Sequence, residues 1–102
     1  MGLLDMLGFG TKTNVIKEFT EKGAIVIDVR TVREFKEGHI IGSKNYPLDL
    51  ISSKVAELKK LKKPIIVCCQ SGMRSGQAAS ILKNSGIECV NGGGWQSLEN
   101  KL

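Results

Sequence analysis

The stretch Ile65-Ile66-Val67-Cys68-Cys69-Gln70-Ser71-Gly72-Met73-Arg74-Ser75 changes character halfway along. Its first half follows Pro64, which ends the preceding helical pattern. It is a short β-branched run, as expected for a strand of a parallel sheet covered on both faces. Its second half, Gln70 to Arg74, reads as a loop. Ser75 to Asn84 then reads as a helix with Ala78, Ala79 and Leu82 on its apolar side. The thiol of Cys69 therefore stands at the carboxyl end of a strand and near a helix N-terminus. Open α/β sheets bind ligands at that end.

Working outward, Thr13 or Asn14 is expected to cap a first helix. Val15, Ile16 and Phe19 give it an apolar face, and Gly23 ends it. Ala24 to Val29 reads as another buried strand. Thr31-Val32-Arg33-Glu34 fits a capping box that opens a short helix, with Gly38 as its stop. Ile40 to Tyr46 is expected to hold a short strand ending at Pro47. Ser53 to Lys62 reads as a helix with Val55, Leu58 and Leu61 facing inward. Ile87 to Val90 reads as a last strand. Gly92, Gly93 and Gly94 read as a flexible turn before a short helix from Trp95. Strands alternating with helices predict an α/β fold, a three-layer α/β/α sandwich around a mainly parallel sheet. The domain is expected over residues 13–102, with residues 1–12 as a short apolar arm.

The chain has 102 residues, enough for one domain with one continuous core. Hydrophobic residues make up 41% and charged residues 25%, which argues against disorder. No apolar run approaches the ~20 residues of a membrane helix, and no basic n-region precedes the first apolar residues. No membrane span and no signal peptide are therefore expected. The three cysteines are Cys68, Cys69 and Cys89. Adjacent cysteines seldom bond each other, and no metal-ligand spacing is present, so no metal is expected. Free thiols fit a reducing cytoplasm. Much of the net charge of +5 sits in Lys59, Lys60, Lys62 and Lys63. These read as a solvated helix end, with attraction of anions as a secondary benefit. Nucleic-acid binding is not expected, since few aromatics interleave with the basic residues.

The position of Cys69 carries the chemistry. Free backbone amides and the positive helix end stabilise an anion there, so its pKa should be depressed. Gly72 lets successive amides converge on one point, and Arg74 adds a permanent positive charge. Side chains alternate along a strand, so Cys68 is expected to point into the sheet rather than the pocket. Asp28 and Arg30 end the first strand and are expected to form an ion pair, with pocket support as their functional alternative. His39 reads as structural, because a thiolate held by amides needs no general base. Trp95 and Cys89 read as packing residues.

Val67 to Ser75 resembles the active-site loop of rhodanese domains, in which an apolar strand leads to a cysteine and a short loop to an arginine. Ile27-Asp28-Val29-Arg30, then Glu34-Phe35 and Gly38-His39-Ile40-Ile41-Gly42-Ser43, resemble that family's first signature, and Asn45-Tyr46-Pro47-Leu48 continues it. Gly93-Gly94-Trp95 resembles its closing glycine pair. The motifs run in register over about residues 13–102. The resemblance implies a five-stranded central sheet and a Cys69 nucleophile that carries sulfur as a persulfide. It implies a binding cradle of Gln70, Ser71, Gly72, Met73, Arg74 and Ser75, with Arg74 orienting an anionic donor. The activity it implies is ping-pong transfer from thiosulfate or a related donor to a thiol, cyanide or protein acceptor, without metal or organic cofactor. Four residues separate Cys69 from Arg74. The related phosphatases and arsenate reductases have one more, so the loop length favours sulfur. A non-enzymatic sulfur-carrier or regulatory module is the alternative, and a phosphatase or arsenate reductase ranks below it.

Overall fold

A computed structural model describes residues 11–102; the expected apolar arm lies almost wholly outside them. In chain order the elements are α1 (Thr11–Glu21), β1 (Ile25–Asp28), α2 (Val32–Glu37), β2 (Lys44–Asn45), a 3-10 turn (Leu48–Leu50), α3 (Ile51–Lys60), β3 (Ile65–Cys69), α4 (Met73–Asn84), β4 (Cys89–Gly94) and α5 (Trp95–Glu99). The sheet order is β2-β1-β3-β4, and all three pairings are parallel.

All five residues of β3 are buried, as its unbroken apolar run requires. Alternation sends Ile65, Val67 and Cys69 to one face, where they pack with Ile51 and Leu58 of α3 and Ala78, Ala79 and Leu82 of α4. Ile66 and Cys68 go to the other face, with Ile16 and Phe19 of α1 and Leu98 of α5. The result is the expected α/β/α sandwich, with helices on both sides of a parallel sheet. Each fully buried Ile or Leu contributes about 1.5–3 kcal/mol through apolar area removed from water.

The expected capping box is present, with Thr31 Oγ1 accepting from the Glu34 amide and the Glu34 carboxylate accepting from the Thr31 amide. Several expectations need correction. Among the described residues the sheet has four strands, not five. Its edge strand β2 has only two residues, because Ser43 bonds back to Ile40 in a turn and shortens the extended segment. Helix α1 already includes Thr13 and Asn14, so neither caps it. Helix α3 starts at Ile51 because the 3-10 turn after Pro47 feeds into it. It ends at Lys60, and Leu61, beyond its end, is 41% exposed rather than inward.

The glycine run is also not a turn. Gly92, Gly93 and Gly94 belong to β4, where Asn91 pairs with Val67 and Gly93 with Cys68. Gly92 is thus the extra residue of a bulge. A Cβ there would lie 2.9 Å from both Ile66 Cγ2 and Leu98 Cδ2 and 3.1 Å from the Val67 carbonyl. Glycine is required by lack of space, not by flexibility. We predict that Gly92→Ala costs about 1–3 kcal/mol through overpacking. The measurement is the urea midpoint at unchanged m-value, and an unaltered midpoint would contradict this packing.

Candidate active site

The sulfur of Cys69 sits where β3 turns into α4. Gly72 caps α4 with φ 103°, a left-handed conformation suited to glycine, and has no side chain of its own to accept from the helix amides. The sulfur takes this part instead. The Gly72 amide donates to Cys69 Sγ at 3.0 Å and the Ser75 amide at 3.3 Å. These belong to the orphan donors that every helix start presents. Burial alone would push the Cys69 thiol up; the Ser75 hydroxyl and the amides of Ser75, Gly72 and Ser71 outweigh it and hold the pKa below its ordinary value.

Ser75 is buried and has one hydroxyl proton for two acceptors. Its Oγ lies 2.6 Å from Asn91 Oδ1 and 3.3 Å from Cys69 Sγ. With a neutral thiol, the S–H can donate to Ser75 while Ser75 donates to Asn91. With a thiolate, the hydroxyl can turn to the sulfur, and Asn91 Oδ1 keeps the Gly93 amide at 2.9 Å. Asn91 Nδ2 also donates to the Gly72 carbonyl at 3.0 Å, stapling the loop to the β4 bulge. Sequence reasoning singled out Ser75 but missed Asn91. The glycines beside it were the only signal, since they form the bulge that presents it.

The remaining loop residues divide. Met73 is 77% exposed. Gln70 lines a cleft of about 240 Å³ with Arg30, Glu34, Glu37, Gly38, Trp95 and Gln96. Arg74, expected to orient an anionic donor, pairs with Glu34, with Nη1 to Oε1 at 2.7 Å and Nη2 to Oε2 at 3.0 Å. Glu34 was legible as a helix-capping residue but not as this partner. The Arg74 guanidinium, and then the Thr31 amide, hold its carboxyl down at about 2.

Asp28 and Arg30 form a buried ion pair beside the loop, with Arg30 Nη2 2.7 Å from Asp28 Oδ2. The same Nη2 donates to the Gly38 carbonyl at 2.7 Å, and the guanidinium lies 4.8 Å over the Trp95 ring. Arg30 thus ties the cleft wall together. Cys68 packs on the opposite face of the sheet from Cys69, and burial, with the Asp28 charge second, pushes its thiol up to about 12. His39 is exposed; its Nδ1–H donates to the Phe35 carbonyl at 2.7 Å and its ring stacks on Phe35.

Three outcomes follow for the folded protein. Iodoacetamide should label Cys69 ahead of Cys68 and Cys89, with a pH midpoint below that of an ordinary thiol. Ser75→Ala should raise the midpoint and slow labelling at neutral pH by roughly tenfold, as expected for loss of a hydrogen bond to a charged group. Glu34 acts in the opposite pH range. A depressed acid contributes stability above its ordinary value of 4.5 that is lost as pH falls to about 2. The stability difference between wild type and Glu34→Gln, read from urea midpoints, should therefore shrink across that window.

Residues 11–101 match a family model described as Rhodanese-like domain. Uncharacterized protein YqhL of Bacillus subtilis (strain 168) is 39% identical over 77 residues, which are 74% of this chain and 60% of that protein. This chain therefore spans about three-fifths of that relative's length. Thiosulfate sulfurtransferase PspE of Escherichia coli (strain K12) is 34% identical over 74 residues, 71% of each chain. The crystal structure of reduced CoADR-RHD from Bacillus anthracis matches with a TM-score of 0.71 at 36% identity, covering 87% of this chain and 16% of that one. With the fold, the thiol-bearing loop and the family match in agreement, the chain belongs to the rhodanese-like domain family.

Proposed function

We propose that this chain is a sulfurtransferase that carries sulfane sulfur as a persulfide on Cys69. The observation that carries this reading is the cradle around Cys69 Sγ, formed by the amides of Gly72 and Ser75 and the Ser75 hydroxyl. It favours a thiolate while burying it, which suits a nucleophile that must attack without a general base. The four-residue spacing from Cys69 to Arg74 suits a single sulfur better than the wider tetrahedral oxyanion of a phosphatase. The similarity to a relative named thiosulfate sulfurtransferase supports the same class of chemistry.

In the first half-reaction the Cys69 thiolate attacks the outer sulfur of thiosulfate or a related donor. A bond forms between Sγ and that sulfur, the donor S–S bond breaks, and sulfite leaves with the electron pair. The outer sulfur of the persulfide then occupies the cradle. In the second half-reaction an acceptor attacks that outer sulfur and Cys69 leaves as thiolate. Cyanide is the assay acceptor and a thiol or protein the cellular one. The amides of the α4 start hold the negative charge in both directions, so no proton needs to move during attack. Cys68 faces away from the cradle and has a raised pKa, which opposes its interception of the persulfide. The free, separated thiols suit a reducing compartment such as the cytoplasm.

Intact mass after thiosulfate treatment tests this reading. Wild type should gain one sulfur, about 32 Da, removable by dithiothreitol, and Cys69→Ser should gain none. A wild type that takes up no sulfur from any sulfane donor, or uptake that persists in Cys69→Ser, refutes it.

A further inference from the structure

We infer that Glu34 sets donor specificity: by holding Arg74 it leaves the loop from Cys69 to Ser75 without a free cation, so the donors taken best are persulfides of low negative charge rather than the thiosulfate dianion. This rests on the sulfurtransferase reading and refines its donor.

The geometry separates this ion pair from an ordinary surface one. Exposed pairs exchange partners freely and bind weakly. Here both guanidinium arms meet both carboxylate oxygens, at 2.7 and 3.0 Å, and each side chain is about two-thirds buried, with 35% and 31% exposure. The carboxylate is also immobilised by the capping box, since Oε1 accepts from the Thr31 amide at 3.0 Å and its hydroxyl at 3.1 Å. Glu34 has therefore already lost its side-chain freedom before Arg74 arrives. An anionic donor must displace a pre-ordered, bidentate partner to use that arginine.

The neighbouring charges do not make up for it. Arg30 is committed to the buried Asp28. Glu37 lines the same cleft, and its contact with Arg33 is 3.9 Å long between side chains that are 91% and 70% exposed. Each guanidinium of this wall, Arg30, Arg33 and Arg74, thus faces a carboxylate, Asp28, Glu37 and Glu34 in turn. Lys59, Lys62 and Lys63, which make the chain basic, line a different cleft with Pro64 and Ile87, at the opposite end of the strands from Cys69. A doubly negative donor therefore finds no surplus positive charge at the Cys69 end, whereas a persulfide carrying its own ammonium group needs none. The transfer step itself balances: the Cys69 thiolate attacks the outer sulfur of R–S–SH, the donor S–S bond breaks, and R–S⁻ leaves with the electron pair.

The test compares thiosulfate with glutathione persulfide and cysteamine persulfide, both generated in situ. The two persulfides share a reacting group and differ in charge. Sulfur uptake on Cys69 is followed by intact mass, and kcat/KM by turnover to cyanide. Wild type should prefer cysteamine persulfide, which carries an ammonium, to both glutathione persulfide and thiosulfate, which are polyanions at neutral pH, and raised ionic strength should narrow the gap between the two persulfides. Glu34→Gln keeps the capping box, since glutamine serves at that position, but removes the charge. It should raise the thiosulfate kcat/KM about tenfold relative to cysteamine persulfide. A purely structural Glu34 would alter all three donors alike, and an unchanged ratio in Glu34→Gln overturns the inference. So does a wild type that prefers thiosulfate or shows no salt-dependent gap, a result that needs no variant. Sulfur uptake with the wrong ranking sinks only the specificity claim. No uptake from any donor sinks the parent reading as well.

Discussion

The buried Asp28–Arg30 pair is the constraint around which the ligand end of the sheet is arranged. Both side chains are almost wholly shielded from water, and charges so placed are tolerated only when fully paired. Arg30 spends its donors on both Asp28 oxygens and on the Gly38 carbonyl, while its face covers Trp95. Asn45 completes the junction by donating to the carbonyls of both Asp28 and Arg30. One ion pair thereby fixes β1, β2, the end of α2 and the start of α5. Glu34 rides on α2, so the position of the residue that grips Arg74 depends on this pair.

Much of the fold was legible because its signals are local. The β-branched run of β3, the capping box at Thr31 and the stops at Gly23 and Gly38 each depend on a few adjacent residues. The setting of Cys69 was legible for the same reason, since strand, loop and helix are consecutive. What escaped depends on residues far apart in the chain. Glu34 and Arg74 are 40 positions apart, and nothing local to either announces the contact. Asn91 gains its role only because the β4 bulge sets it against Ser75. The glycine run illustrates the limit most directly: the same three letters fit a flexible turn or a crowded strand. Only the proximity of Ile66, Leu98 and the Gln70 carbonyl decides for the strand.

Cys68 and Cys69 show how strongly a single step along a strand can divide two identical side chains. Cys68 enters an apolar layer beside Asp28, where a thiolate would be desolvated and repelled. Cys69 enters the mouth of α4, where backbone amides offset the cost of burial. The two-residue period of the strand separates a thiol desolvated in the core from one held by backbone amides, with no difference in composition.

The sulfur of Cys69 also serves as the cap of α4, and this gives its chemistry a mechanical side. The amides of Gly72 and Ser75 have no other side-chain acceptor in the cap, so any group attached to Sγ changes what satisfies them. On the proposed reading, loading and unloading the cysteine would exchange one helix cap for another. The first turn of α4, and through Asn91 the bulge of β4, would then register whether the cysteine is occupied. A sulfur carried there would be a structural part of the protein for as long as it stayed.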